Sequence, residues 1–291
     1  MMKLARDNAT KGILLTLLSS LMLGSGYVAA KIGLRGSDPF AFGALAMSVG
    51  VLILLVYMAW KHLLTVAMLK RWEFWAAPIL NTVVVGTQYV GLSLTAASMG
   101  GLIIGMNVIF VALFSRIAFG ESLSPQRKLG LVLGMIGLVT LTTKWDINTL
   151  SGTALVGDAL LIISSCTVAI VVVLSRPALQ HMDYTQWTLG LHMLLPVTLG
   201  GIALLTTGAF TLGGDAFPAI IWIGIFCSTI PTLLWTGALR HISVVTSATV
   251  VMAEAAFSVV FAWIFLGESM DAFVLVGAAL IFSAIYFVAK E

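Results

Sequence analysis

Charge is scarce in this chain. Asp, Glu, Lys and Arg make up 9% of its 291 residues, against 60% hydrophobic residues and a mean hydropathy of +1.08. A soluble domain carries about 25% charged residues, so this composition excludes one and points to a polytopic membrane protein. Cysteine is nearly absent as well. Cys166 and Cys227 both fall inside apolar runs, so neither a disulfide framework nor a thiolate metal site is implied. The four histidines, His62, His181, His192 and His241, show no HExxH or paired-cysteine spacing, and all but His192 lie near membrane edges. There is no Walker A loop and no soluble module, which excludes direct use of ATP. Nor is there a Gly-x-Ser-Gly or a pair of midplane aspartates for intramembrane hydrolysis, so the chain is not expected to be an enzyme and no cofactor is implied.

What is present is a series of ten apolar spans, at 12–34, 39–60, 74–94, 97–119, 127–143, 156–176, 184–207, 217–239, 243–266 and 271–289. Most approach the ~20 residues that cross the hydrocarbon of a bilayer. A net charge of +3 and a pI near 9.0 would suggest nucleic acid in a soluble protein. Here the basic residues sit in loops and report topology instead. With the N-terminus in the cytoplasm, twelve lie inside and only Lys31, Arg35 and Lys144 outside, and ten spans return the C-terminus to the cytoplasm. The first run ends Val28-Ala29-Ala30 like a cleavable signal, but it is too long and corresponds to the sixth span, so a retained helix is expected.

Half the chain repeats. Phe110 to Gly120-Glu121-Ser122 recurs as Phe257 to Gly267-Glu268-Ser269, 147 residues on, and Gly130 meets Gly277 at the same offset. At an offset of 145, Gly12, Ser19, Ser20 and Lys31 match Gly157, Ser164, Ser165 and Arg176. The halves 1–146 and 147–291 hold five spans each. Five is odd, so the second half enters the membrane from the opposite side. The expected fold is therefore all-α: ten transmembrane helices as two inverted five-helix repeats, a design that places substrate near the bilayer centre.

Local signals mark helix ends and packing. Ser124-Pro125 is expected to start the fifth span and Ser269 the tenth, with Glu121 and Glu268 beside the positive helix ends. Gly101-x3-Gly105 and Gly130-x3-Gly134 favour close helix approach. Pro196 and Pro231 permit kinks in the seventh and eighth spans. Trp60, Trp72, Trp75 and Trp145 fit an interfacial belt.

The candidate site follows from polar residues deep in the spans. Asn107 and Glu254 lie near the middle of the fourth and ninth spans at equivalent positions. A carboxylate at a helix centre costs roughly 2.5–3.5 kcal/mol to insert, so it faces the bundle or a wet cavity. Helical spacing adds Ser247, Val251 and Ser258 to the Glu254 face, and Gly100, Ile104 and Val111 to that of Asn107. Asn81 and Thr82 match Ser228 and Thr229 in the third and eighth spans, and Gln88 matches Trp235. Tyr27 and Lys31 are one turn apart on the first span. Lys31 either snorkels at the external end or contacts a substrate carboxylate.

Gly24-Ser25-Gly26-Tyr27-Val28-Ala29-Ala30-Lys31, the two Phe-to-Gly-Glu-Ser endings and the Gly130 and Gly277 helices together resemble the EamA family of the drug/metabolite transporter superfamily. Glu254 matches the carboxylate that members often carry in the ninth span, although Ala255 and Leu23 stand where many have proline and tryptophan. The resemblance implies a bacterial inner-membrane carrier working by alternating access, often an exporter of amino acids, related metabolites or toxic compounds. The expected function is secondary transport of a small zwitterionic or cationic metabolite, with Glu254 as its charge or proton partner. The alternative is translocation of a lipid carrier or lipophilic drug on the same fold. The expected partners are a small-molecule substrate and the bilayer, with no nucleic acid, in a monomer or homodimer.

Overall fold

The computed structural model describes residues 2–95, 97–120, 124–143, 145, 154–267 and 271–289. Among these there is no strand. The helices are α1 (Met2–Gly33), α2 (Pro39–Trp60), α3 (Trp72–Leu94), α4 (Ala97–Gly105), α5 (Asn107–Phe119), α6 (Pro125–Thr143) and α7 (Ala154–Ala178). They continue with α8 (Tyr184–His192), α9 (Leu195–Thr207), α10 (Ala216–Trp222), α11 (Ile230–Ala238), α12 (Val244–Val251), α13 (Ala253–Leu266) and α14 (Ala272–Ala289). A π-helical segment, Ile223–Thr229, joins α10 to α11.

Seven helical stretches are long and apolar enough to cross a membrane: Asn8–Gly33, Pro39–Trp60, Trp72–Leu94, Leu155–Ala178, Tyr184–Thr207, Ala216–Ala238 and Val244–Leu266. Two shorter apolar helices, Ile103–Phe119 and Ala272–Phe287, and α6 occupy the remaining expected spans. Their outer faces carry bare hydrocarbon, as at Leu205, Ile117 and Val56. Such faces suit lipid rather than water. Trp60, Trp72, Trp75 and Trp145 are all exposed at helix ends or loops, as an interfacial belt requires.

Helix ends follow their local chemistry. Asp38 Oδ1 accepts from the Ala41 N–H at 2.7 Å ahead of Pro39 at the first turn of α2. Ser124 Oγ accepts from the Arg127 N–H at the start of α6, as expected. At α14 the cap is Asp271, whose Oδ1 accepts from Val274 N–H, rather than the expected Ser269. Ser269, Glu121, Ser122 and Glu268 lie outside the described residues. The repeated glycines end α5 and α13: Gly120 and Gly267 adopt φ of +66° and +69°, a conformation that favours glycine.

The fourth and ninth spans each tighten for one turn near the middle, at Met106 and at Met252, but both residues keep right-handed helical angles and the helices run on through them. One expectation about packing is corrected: Gly105 meets the side chain of Leu138, and Gly101 meets Ser258 Oγ before the Ala255 backbone. Close backbone approach occurs instead where Gly24 of α1 meets α13, where Gly91 of α3 meets Gly157 of α7, and where Gly137 of α6 meets α14.

Candidate functional site

At the centre of the bundle is a cavity of about 240 Å³, walled by α1, α2, α3, α4, α5, α7, α8, the π segment, α11, α12 and α13. It is smaller than the ~300–1,000 Å³ typical of drug-sized pockets, which suits a small ligand. Asn107 is the first residue of α5 and Glu254 the second of α13, and both line the cavity. Each follows a tightened turn, with Met106 N–H on Ile103 O and Met252 N–H on Thr249 O.

Tyr27 of α1 lines the cavity beside Glu254. Gly24, one turn earlier, explains the closeness. A Cβ there would stand 2.8 Å from Phe257 Cβ and 2.9 Å from Glu254 O, so only glycine lets α1 lie against the first turn of α13. Across the cavity Asn81 Nδ2 donates to Leu191 O at 2.8 Å. That carbonyl is free because α8 stops at His192, ahead of Pro196. His192 itself lines the cavity, with Nδ1 2.9 Å from Thr188 O.

The cavity gathers seven of the expected residues: Glu254, Asn107, Tyr27, Asn81, Gln88, Ser228 and Trp235. Four stand elsewhere. Lys31 donates to Thr95 O at 2.9 Å and Leu92 O at 3.4 Å, satisfying carbonyls at the end of α3. Thr229 is buried with Oγ1 against Gly50 of α2. Ser258 bonds back to Ala255 O at 2.8 Å. Ser247 is fully buried, its Oγ without a partner among the described residues. Ser258 instead faces Gly101 of α4, while Ala248, Val251 and Glu254 remain on the cavity. In the fourth span Ile104 and Asn107 reach it, but Gly100 and Val111 do not. Thr82 binds Thr198 Oγ1 at 2.9 Å, tying α3 to α9.

The wall also holds Tyr89, His192, Cys227 and Thr232, which sequence reasoning missed. One signal was available: of the four histidines, only His192 lies well inside a span. Among the described residues no group of three His, Cys, Asp or Glu is placed to hold a metal.

A model of the EamA-like transporter family matches residues 10–143 and again residues 155–290. The chain belongs to this family. Its relatives include an uncharacterized transporter of Archaeoglobus fulgidus, 26% identical over 95% of this chain and 96% of its own length. YoaV of Bacillus subtilis, also named an uncharacterized transporter, is 22% identical over 92% of both chains. A WAT1-related chloroplastic protein of Arabidopsis thaliana is 26% identical over 91% of this chain and 66% of its own. A solved crystal structure agrees with a TM-score of 0.80 over 97% of both chains at 17% identity, a likeness in fold alone. This EamA protein is thus a membrane transporter and not an enzyme, and its central cavity is the place to seek its substrate.

Proposed function

We propose that this EamA transporter is a secondary carrier that exports a small zwitterionic or cationic metabolite, an amino acid or a related amine, across the bacterial inner membrane. The observation that carries this is Glu254: a carboxyl inside the bundle, in the middle of a membrane-long helix, facing a cavity of small-molecule size. An acid in such a place is expensive and is retained for ion or proton work. Either a cationic substrate group or a proton neutralises it, so occupancy by one excludes the other.

Alternating access between two inverted five-helix halves, 1–146 and 147–291, is supported by matched packing. A Cβ on Gly12 would meet His241 Cβ at 3.0 Å and Ala238 O at 3.3 Å. A Cβ on Gly157 would meet Leu94 Cβ at 2.9 Å and Gly91 O at 3.0 Å. These are equivalent positions in the repeat, at opposite ends of the bundle. The tightened turns at Met106 and Met252 and the glycine ends at 120 and 267 pair in the same way. With the N-terminus cytoplasmic, Gly12 closes the inner mouth and Gly157 the outer one.

Purified protein in proteoliposomes tests the role of Glu254. Glu254→Gln is expected to fold as the wild type does, yet lose transport or lose its coupling to protons.

A further inference from the structure

Building on the transporter reading, we infer that the substrate is a small amine without a free carboxylate, and that His192 supplies the second hydrogen-bond acceptor it satisfies beside Glu254. The ionisable side chains of the cavity wall are Glu254, Tyr27, Tyr89, Cys227 and His192; among the described residues no lysine or arginine lines it. Lys31, the one nearby candidate on the sequence, is committed to the carbonyls of Leu92 and Thr95. A substrate carboxylate would therefore leave water for a site with no cationic side chain and a resident acid. Free backbone N–H groups are the other way to bind an anion, but beside Glu254 the Ala255 N–H is taken by Met252 O, and beside Asn107 the Ile109 N–H is taken by Met106 O.

The acceptors suit an ammonium group instead. Thr188 O can only accept, so His192 Nδ1 carries the proton of the neutral ring and Nε2 presents a lone pair. His192 is 7% exposed and, among the described residues, no protein group occupies Nε2. Asn81 donates one amide hydrogen to Leu191 O, and its Oδ1 remains an acceptor. Asn107, Gln88, Ser228, Thr232 and Trp235 add neutral polar groups to the wall, and Val84, Val85, Val168, Val171 and Val172 offer hydrocarbon to an apolar body.

The test is counterflow in proteoliposomes with labelled pairs that share one body: phenethylamine against phenylalanine, and isobutylamine against valine. Each amine is expected to exchange with a half-saturating concentration at least about tenfold below that of its amino acid. Equal or better exchange of the amino acids overturns the inference and leaves the transporter reading standing, as does failure of both amines while the amino acids exchange. Wild-type exchange by Glu254→Gln instead removes the reading beneath it, in which Glu254 is the charge or proton partner.

His192→Asn keeps a donor near Thr188 O and removes Nε2. It is expected to raise the amine's half-saturating concentration roughly tenfold, the loss of one hydrogen bond to a charged group, with thermal stability unchanged. His192→Gln restores an acceptor near Nε2 and is expected to recover most of that loss. A merely structural histidine would lower the thermal midpoint in both variants and leave half-saturation of the folded fraction alone, and that result overturns its assignment.

Discussion

Glu254 is placed to meet a ligand because its neighbours leave it no other charge to meet. Tyr27 is a neutral neighbour, and no lysine or arginine among the described residues shares its cavity. Tyr27→Phe is expected to keep the fold but weaken substrate exchange, since the cavity loses a hydroxyl beside the carboxyl; unchanged exchange would separate the two groups. The outlying Asp183 works differently. Partial burial pushes its carboxyl up, but hydrogen bonds from the Thr185 hydroxyl and N–H, with Arg240 beside it, outweigh that and hold it below its ordinary value. A lowered value means that this contribution is present above the ordinary carboxyl range and is lost as pH falls through the folded-state value. Asp183→Asn preserves the cap, so it isolates the charge. It is expected to lower stability by no more than about 1 kcal/mol, because the pair is partly exposed and screened. That difference should shrink in high salt and vanish in strong acid, as thermal melts in detergent would register. Single residues were unevenly legible. Glu254 announced itself as an acid among apolar neighbours, whereas the partners of Lys31 are backbone carbonyls that no side-chain pattern encodes.

Asn107 and Glu254 were matched by the repeat as mid-helix residues, and the structure keeps them within their spans, each just after one tightened turn. Neither turn contains proline, and Met106 and Met252 keep right-handed helical angles, so periodicity could not show the tightening. The prolines that were visible behave as expected: Pro196 and Pro231 stand at the starts of α9 and α11, after an interruption and a π segment. At this scale the contact of α1 with α13 is the vulnerable one. Gly24→Ala drives a methyl against Glu254 O and the Ser258 N–H, backbone atoms that cannot swing aside. The two helices must part, at a cost of about 1–3 kcal/mol. Thermal unfolding should register it, and transport by the folded fraction should fall because Glu254 moves with its helix. Wild-type stability would show that the contact yields more easily than its geometry suggests.

Across the whole molecule, the proposed alternating access rests on two ends that would close by similar means. Gly12 against α11 and its following loop, and Gly157 against the end of α3, let helix backbones seal at opposite faces. A bulky residue at either glycine should hold its own end open and bias the carrier to one side. Cys227, already in the cavity wall, reports this in a Cys166→Ser background. Gly12→Leu is expected to raise its labelling by an impermeant maleimide from the face where α1 begins, and Gly157→Leu from the opposite face. Labelling that rises from the same face in both variants would contradict alternating closure. The most direct measurement of the central claim is the pH dependence of substrate counterflow by Glu254→Gln beside wild type in the same vesicles. Loss of exchange, or exchange that no longer responds to pH, is the expected result for a folded variant. Full exchange with the wild-type pH profile would contradict the account and remove Glu254 from the mechanism.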